Sequence, residues 1–490
     1  MLASIFLAPF LCLQTPPEPA APSADLAEFR GVVIGLDDAE VLASNTKIGE
    51  AMDFLYDHGF NVVFPVVWRQ GVTLWPSDVM LKTCGVEVDP ALFDPHFKSR
   101  DILFEIVVEA HRAGLEVVPI LDLAPTSAEQ GPGHALIEKH PAWAVRGKDG
   151  KPLVVDGAQR LDPRVPEVGT FLLDLARDLA TFHEVDGLAW DENGLDFAAD
   201  SKSLTAIGDH LQRVRAELTK IDPAMRTVLF GRKSSLAAQA WIERGLCDVF
   251  VPRLAARDID GWKKALGELV ALPWIAKDVA RLAPFFSATD GTWRATAEYA
   301  LAAIAHDREK LLKGEVFSSI AALRADKDAL GDEIQREPYY ATALLPWRND
   351  VAWRQNSKVV VPSAGEGSWE WRTDSSGVRS IQLGGTQPGL ATWTLSVIEK
   401  GDYDLYVWIP PDADVGTRAN FSVSARGMLK STVIDPSQPK FKGWVYIGTV
   451  SMQRREHREV ARLLAEEKDP TKVTVAGPMV AVLHRRPTQR

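Results

Sequence analysis

Short, nearly all-apolar runs alternate with longer segments whose apolar residues recur at helical spacing, from Phe29 to about Leu323. The short runs are typical of parallel strands covered on both faces, and the longer segments are typical of amphipathic helices. The runs predict eight strands, at residues 30–36, 61–68, 115–123, 185–191, 227–231, 248–252, 272–276 and 316–323.

Helices are predicted between these strands, at residues 47–58, 99–113, 165–183, 203–220, 236–245, 258–270 and 292–312. Several of them end at a helix stop signal, such as Gly59 or Gly114. Eight strands that alternate with helices predict an α/β fold, a (β/α)8 TIM barrel, rather than an open doubly wound sheet. No Gly-x-Gly-x-x-Gly sequence follows the first strand, which argues against a nucleotide-binding fold.

The pattern changes after about Asp350. Short runs with alternating polarity, separated by Gly, Pro, Asn and Asp, predict an all-β antiparallel sandwich over residues 358–490. Residues 453–467 break this pattern, because they are charged and have a helical period, so they are predicted to form an inserted surface helix. Tyr403, Tyr406 and Trp408 are predicted to share one face, which favours the core over a platform for sugar rings.

The first 25 residues predict an export signal followed by a Pro-rich linker, with the barrel then covering residues 26–350. Residues 1–13 are uncharged and apolar, about the length of a signal h-region and too short for a membrane span. No other segment has 18 consecutive apolar residues, so no membrane span is predicted. Cys247 lies in an apolar run, which favours a buried free thiol over a disulfide with Cys84.

Composition narrows the range of partners and cofactors. The net charge of −11 and the absence of a long Lys/Arg run argue against a nucleic-acid partner, because that binding needs a basic surface. The ten His residues form no His-x-His or His-Glu-x-x-His pair, so no metal and no cofactor are predicted. The 15 Trp residues are shared between core packing and sugar platforms in proportions that composition does not separate.

The functional site of a (β/α)8 barrel is built at the carboxyl ends of its strands. The fourth predicted strand ends in VDGLAWDENG, where Gly187, Ala189 and Asp191 share one face. Asp191 is therefore expected at the mouth of the barrel, with Glu192 at the rim. Neighbouring carboxyls suit glycosidic cleavage, because one must be ionised and the other protonated. The alternative is that either acid caps the next helix.

Polar residues at the other predicted strand ends are expected to ring the mouth and to bind a polyhydroxylated ligand. The predicted substrate-binding residues are Trp68, Arg69, Asp122, Asn193, Arg232, Arg253 and Lys277. Asp278 is the candidate for a second catalytic carboxylate across the barrel from Asp191. The alternative for Asp278 is a salt bridge with Lys277 or Arg253.

Longer motifs resemble the bacterial glycosyl hydrolase-like family 10. In chain order they are RGVVIG, HGFNVVFPVVWRQGVTLWPSDVM, AHRAGLEVVPILDL, KHPAWAVRGKDG, LDPRVPEVGTFLLDLARDL, VDGLAWDENG and EPYYATALLPWRN. VDGLAWDENG stands where the family has a strand that ends in two acidic residues. This sequence departs from the family at Glu192, where Asp is usual, at Asn193, where His is common, and at the end of the sixth strand. The segments GDYDLYVWIPPDADVGTRANFSVSARG and GWVYIGTV resemble the C-terminal domain of golvesin-type proteins.

The resemblance implies a (β/α)8 glycoside hydrolase fold followed by a sandwich that accompanies secreted carbohydrate-active enzymes. Together with the acidic strand end, it predicts an exported glycoside hydrolase that cleaves a polysaccharide or cell-wall glycan with paired carboxylates. The alternative is a non-catalytic glycan-binding or scaffold protein of the cell envelope, because the departures affect the predicted site itself. Glycan identity and oligomeric state stay open at this point.

Overall fold

The structure, a computed structural model, describes residues 27–484 apart from residues 36–37, 93–99, 156, 194, 196–199, 234, 291–292, 326–329, 342, 347–358, 398–399, 426–427 and 454. The predicted export signal and linker, residues 1–25, lie outside the described residues, as does the predicted domain boundary near residue 350.

The first domain is built from short strands and longer helices. Its strands are β1 (Phe29–Ile34), β2 (Val62–Pro65), β3 (Trp68–Arg69), β4 (Val72–Thr73), β5 (Glu116–Val117), β6 (Ile120–Asp122), β7 (Thr126–Ala128), β8 (Val154–Val155), β9 (Ala158–Arg160), β10 (Gly187–Asp191), β11 (Arg226–Arg232), β12 (Val249–Arg253), β13 (Phe285–Ser287), β14 (Thr289–Asp290), β15 (Trp293–Arg294) and β16 (Gly314–Ser318). Its helices are α1 (Ala39–Leu42), α2 (Asn45–Asp57), α3 (Asp78–Cys84), α4 (Ile102–Ala113), α5 (Ala135–Lys139), α6 (Pro166–Phe182), α7 (Ser201–Ile221), α8 (Leu236–Glu243), α9 (Ile259–Val270), α10 (Pro273–Ala276), α11 (Ala297–Glu309), α12 (Ile320–Arg324) and α13 (Leu330–Arg336).

One parallel sheet forms the barrel, in the order β5-β2-β1-β16-β13-β12-β11-β10-β6. β5 and β6 are successive pieces of one strand, interrupted at Val118 and Pro119. Since β5 pairs with β2 and β6 pairs with β10, the curled sheet closes on itself at this strand. The predicted (β/α)8 architecture is confirmed.

Alternate residues of the strands point to opposite sides of the sheet, as strand geometry requires. On β10, Leu188 and Trp190 pack under the surrounding helices, in the larger apolar core. Ala189, on the other face, belongs to a separate apolar cluster inside the barrel. The members of that inner cluster that lie on or next to the strands are Phe29, Val33, Val62, Phe64, Val118, Ile120, Ala189, Val228, Phe230, Val249, Val251, Ala283 and Val316.

The seventh and eighth strands differ from their predicted positions. Residues 272–276 were predicted as a strand, but they contain the helix α10, and the seventh strand is β13. A run of five apolar residues does not separate a buried strand from a buried helical turn. Pro273 favours the helical turn, because proline is favoured at the first position of a helix. The eighth strand, β16, ends at Ser318, and α12 follows it directly.

The segment that resembles the closing part of the family seals the amino end of the barrel. Arg30 of β1 is fully buried, pairs with Glu28 at 2.7 Å and donates to the carbonyl oxygen of Ala341 at 2.7 Å. Its guanidinium lies 4.1 Å from the ring centroid of Tyr339, whose hydroxyl donates to Glu315 of β16 at 2.8 Å. These contacts join the first and last strands of the barrel. Cys84 and Cys247 are both buried and free, as predicted.

The second domain is an antiparallel β-sandwich, which confirms the predicted class. Its strands are β17 (Ser363–Ala364), β18 (Glu370–Thr373), β19 (Arg379–Gly384), β20 (Leu390–Val397), β21 (Gly401–Ile409), β22 (Ala419–Ala425), β23 (Met428–Ile434), β24 (Gly443–Met452), β25 (Arg455–Leu464), β26 (Val473–Ala476) and β27 (Met479–Leu483). They form three sheets, ordered β17-β20-β25-β22-β23, β18-β19-β26 and β24-β21-β27. Tyr403, Tyr406 and Trp408 are all buried, as the core interpretation predicted.

The surface helix predicted at residues 453–467 is wrong. β25 occupies this stretch and lies in the middle of the five-stranded sheet, paired with β20 and β22. Glu459 has φ 48°, and the pairing register with β20 shifts nearby, so the strand carries a bulge. A bulge turns successive residues the same way, and Val460, Ala461 and Leu463 are all buried. This spacing imitates one face of a helix.

The sandwich packs against the outer face of α4. Every residue of this helix except Phe104 is buried, although the outer face of a barrel helix usually meets solvent. The indole N–H of Trp444 donates to Oε1 of Glu109 at 2.8 Å across the junction. The apolar part of the junction joins Phe104 and Val108 to five sandwich residues, Tyr406, Trp408, Trp444, Val480 and Val482. The two domains therefore share a buried apolar interface.

We expect Trp444→Ala to lower the free energy of unfolding of the full chain by ~3–5 kcal/mol, because it empties a buried site at the junction. Urea denaturation followed by circular dichroism measures this change. Trp371→Ala is the matched control, since Trp371 lies on β18 with 45% of its surface exposed, and its loss is expected to cost less than ~1 kcal/mol. Equal losses in the two variants would contradict a stabilising junction.

Candidate active site

Two carboxyls lie side by side at the carboxyl ends of neighbouring strands. Asp122 ends β6 and Asp191 ends β10, and the two residues are direct partners in the parallel register. Each follows an inward-facing residue, Ile120 or Ala189, by two positions, so both side chains point into the mouth of the barrel. Because neighbouring strands lie ~4.8 Å apart, the two carboxyls share one small space.

Arg253 holds Asp191 in a bidentate ion pair. Arg253 ends β12, two strands away, and its Nη1 and Nη2 donate to Oδ1 and Oδ2 of Asp191 at 3.1 and 2.6 Å. The guanidinium passes over Phe230 and beside Phe285, 5.8 and 5.5 Å from the two ring centroids. The backbone N–H of Asn193 also donates to Asp191, at 2.9 Å. Charge-assisted bonds of this kind stabilise the ionised carboxylate.

Asp122 has the opposite tendency. Burial raises the pKa of its carboxyl to about 7, and the negative charge of Asp191 adds to the rise, while Arg160 and Arg253 oppose it. Near neutral pH, Asp122 is therefore able to hold a proton next to an ionised neighbour. A buried carboxyl with a raised pKa beside an ion-paired carboxylate is a candidate for the acid of an acid and base pair.

Glu192 is buried behind the mouth and is not displayed in it. Its Oε1 accepts the backbone N–H of Arg232 at 2.7 Å, and its Oε2 accepts the hydroxyl of Ser235, which also caps α8. Gly231 leaves the room for this, because a Cβ there would lie 2.7 Å from Oε1. Burial raises the pKa of Glu192, and the two hydrogen bonds oppose that rise. Glu192 thus holds the loop between β11 and α8.

Three other predicted binding residues have different surroundings. Trp68 is buried and donates its indole N–H to the carbonyl oxygen of Thr126 at 2.8 Å, so it supports the wall of the mouth and offers no exposed ring. Arg69 is exposed and pairs with Asp89 at 3.5 Å. The side chain of Arg232 is also exposed at the end of β11.

Lys277 and Asp278 lie at the opposite end of the barrel from the mouth. Both precede β13, whereas the prediction placed them after the seventh strand. Asp278 pairs with Arg281 at 2.8 Å and lines a cavity of about 250 Å³ with Arg226, at the amino end of β11. The predicted roles of Asp278 as a carboxylate facing Asp191 and of Lys277 as a binding residue are therefore wrong, because the seventh strand was misplaced.

Arg160 belongs to the site although sequence analysis did not select it. It ends β9, in the small antiparallel sheet β7-β9-β8 that the loop after the third barrel strand forms. Its Nη1 donates to the carbonyl oxygens of Ala124 and Asn193, both at 3.3 Å, and Asn193 is exposed at the rim. Only the pairing of this loop sheet returns Arg160 to the mouth, so no local pattern in the sequence indicated it.

Two parts of the chain match known family models. Residues 28–205 match the family model Glycosyl hydrolase-like 10, and residues 357–480 match the Golvesin C-terminal domain. Both resemblances inferred from the motifs, and the order of the two domains, are confirmed. The first match includes Asp122 and Asp191 and ends before Arg253.

Similar solved structures include the PgaB (BpsB) glycoside hydrolase domain from Bordetella bronchiseptica, with 16% identity, a TM-score of 0.45 and coverage of 63% of this chain and 99% of that chain. A maltogenic alpha-amylase, AmyB, from Thermotoga neapolitana has 12% identity, a TM-score of 0.40 and coverage of 89% and 98%. Alpha-L-fucosidase isoenzyme 2 from Paenibacillus thiaminolyticus has 13% identity, a TM-score of 0.44 and coverage of 64% and 49%. No curated protein matches the chain.

We expect Asp122→Asn to stabilise the protein more at pH 8.5 than at pH 4.5. The pKa of Asp122 is raised to about 7 in the folded state, against ~3.9 in an unfolded chain, so ionising it costs stability as the pH rises through this window. Asparagine removes that cost. Urea denaturation of variant and wild type at the two pH values measures the difference, and the exposed Asp278→Asn is the control. An effect of Asp122→Asn that does not change with pH would contradict the raised pKa.

Proposed function

We propose that this protein is an exported glycoside hydrolase that cleaves a polysaccharide or a cell-wall glycan. The observation that supports this most is the pairing of Asp122 with Asp191 on adjacent strands. Burial raises the pKa of the first to about 7, and the guanidinium of Arg253 stabilises the second as a carboxylate. Cleavage of a glycosidic bond needs one carboxylic acid and one carboxylate beside the bond.

Asp122 is the proposed general acid, which donates its proton to the glycosidic oxygen as the bond breaks. Asp191 is the proposed nucleophile or charge stabiliser, which faces the positive charge that develops on the sugar ring. These roles replace Glu192 and Asp278 as candidates for the acid. Glu192 becomes a positioning residue for the loop at the end of β11.

The distance between β6 and β10 indicates whether glycosidic cleavage would retain or invert the configuration of the sugar. In-register aspartates on strands ~4.8 Å apart are expected to have a carboxyl spacing close to the ~5–5.5 Å of retaining enzymes, and shorter than the ~6.5–9.5 Å of inverting ones. A spacing of this size favours direct action of Asp191 on the sugar over activation of an intervening water. We therefore propose a retaining mechanism.

Turnover should be measured as reducing ends released from peptidoglycan and from a panel of soluble polysaccharides. We expect Asp122→Asn to lose ~10²–10⁴-fold in kcat, because the general acid is lost. In the wild type, kcat/KM should fall above about pH 7, as Asp122 loses its proton. Asp278→Asn is the control and should keep full turnover. Glu192→Gln should lose less of its kcat than Asp122→Asn does, and its kcat/KM should still fall above about pH 7. Full turnover in Asp122→Asn would contradict the assignment.

A second candidate is a glycan-binding protein without catalysis, and one observation favours it. Both carboxylate oxygens of Asp191 are engaged by Arg253, and both oxygens of Glu192 accept hydrogen bonds. A carboxylate held in this way is less available to attack a sugar. Binding of a polysaccharide by the wild type, with no release of reducing ends after long incubation, would favour this candidate over the hydrolase.

Export is proposed from the apolar start of the chain and from the match to the Golvesin C-terminal domain. In the part of the chain that the structure describes, no helix is long and apolar enough to cross a membrane. The proposed partner is an oligosaccharide or polysaccharide. The net charge of −11 argues against a nucleic-acid partner.

A further inference from the structure

Three side chains of metal-ligating type meet where the sandwich touches the barrel. Glu184 precedes β10, at the end of the barrel opposite Asp191, while Asp404 lies on β21 and His484 directly follows β27. Nδ1 of His484 lies 2.7 Å from Oδ2 of Asp404 and 3.9 Å from Oε1 of Glu184. One ligand atom from each residue lies within 4.8 Å of the other two.

We propose that Glu184, Asp404 and His484 bind a Zn²⁺ ion that joins the barrel to the sandwich. One imidazole nitrogen and two carboxylate oxygens form a donor set that zinc accepts, with water completing a tetrahedral site. The set comes from both domains, so the ion would bridge them. It lies apart from the mouth of the barrel, and the proposed hydrolysis does not involve it.

The surroundings of the three residues resemble the outer shell of a metal site. Asp404 is almost fully buried, and its other oxygen, Oδ1, accepts the hydroxyl of Thr449 at 2.5 Å. The hydroxyls of Thr449 and Tyr446 are 2.7 Å apart. The backbone N–H of His484 donates to the carbonyl oxygen of Asp402 at 2.8 Å, which fixes the start of this side chain. Groups that orient ligands in this way are a regular feature of metal sites.

The geometry needs only a small adjustment to accept the ion. Zinc binds nitrogen and oxygen at ~2.0–2.2 Å, so tetrahedral ligand atoms lie roughly 3.3 Å apart. The His484–Asp404 distance would open from 2.7 Å, and the His484–Glu184 distance would close from 3.9 Å. Glu184 is partly exposed and can make that movement. A ligating imidazole nitrogen carries no proton, so zinc would bind Nδ1 of His484 in its unprotonated form.

The negative charge at this junction also affects the pKa of a neighbouring residue, Tyr446. Burial raises the pKa of Tyr446, and the carboxylates of Asp404 and Glu184 raise it further, while the hydrogen bond with Thr449 lowers it. The sequence shows no metal motif because the three residues are far apart in the chain and only the packing of the two domains brings them together.

The test is calorimetric titration of the full, chelator-treated chain with ZnCl₂. We expect one Zn²⁺ per chain, with affinity at least ~10-fold weaker in His484→Gln and in Glu184→Gln, which removes the ligand from the barrel. The wild type should release a proton when zinc binds, and His484→Gln should not. Titrations in buffers of different ionisation enthalpy measure this release. His306→Gln is the matched control, because His306 faces a single carboxylate, Glu309, at 3.3 Å.

Two results from the wild type and the two ligand variants would overturn the zinc site. One is wild-type affinity in both His484→Gln and Glu184→Gln, which would place any bound zinc elsewhere. The other is no zinc binding at micromolar concentrations in the wild type, which would leave His484 as a hydrogen-bonding partner of Asp404. Equal weakening in His306→Gln would also count against the site, because it would show that any surface imidazole gives the same effect. Circular dichroism of each variant confirms that it is folded.

Discussion

The pairing register between β6 and β10 is the constraint on which the candidate site depends. It puts Asp122 directly opposite Asp191, on the same side of two adjacent strands. Two carboxylates this close do not both ionise freely, so the surroundings decide which one keeps a proton. Arg253 reaches across β11 and pairs with Asp191, and burial then leaves Asp122 with a pKa of about 7. The register and one arginine together make two identical side chains chemically different.

Much of the architecture could be predicted from hydrophobic periodicity, because a buried parallel strand and an amphipathic helix leave different patterns. Asp191 could be placed by the same reasoning, since small inward residues precede it on β10. Glu192 could be found from the sequence, but its role could not be assigned. Adjacent side chains at the end of a strand point in different directions, and its hydrogen bonds with Arg232 and Ser235 form only in the folded loop. Arg160 depends on long-range pairing and had no local signal.

The errors have physical causes as well. The short apolar run that contains Pro273 is compatible with a strand or with a helical turn. Because it was predicted as a strand, Asp278 was predicted at the wrong end of the barrel. A bulge at Glu459 gave β25 a helical spacing. Asp122 was selected as a binding residue because it ends a strand. Its raised pKa comes from burial and from the neighbouring Asp191, and the sequence states neither how deeply a residue is buried nor which strands are neighbours.

The sandwich is part of the folded core of the protein, because it covers a helix whose outer face would otherwise meet water. Trp444 contributes apolar surface and a hydrogen bond to Glu109 at this junction. The junction lies along the side of the barrel and at its amino end, where Glu184 meets Asp404 and His484. The mouth is built by the loops at the other end, so stability and the candidate chemistry occupy different parts of the same barrel.

The most direct test of the central claim is the titration of the Asp122 carboxyl carbon by NMR, with the signal assigned by comparison with Asp122→Asn. We expect a midpoint near pH 7 in the absence of any ligand, and a lower midpoint in Asp191→Asn, where the neighbouring negative charge is gone. A midpoint of ~4, the ordinary value for aspartate, would show that Asp122 is not the proposed acid. So would a midpoint that Asp191→Asn leaves unchanged.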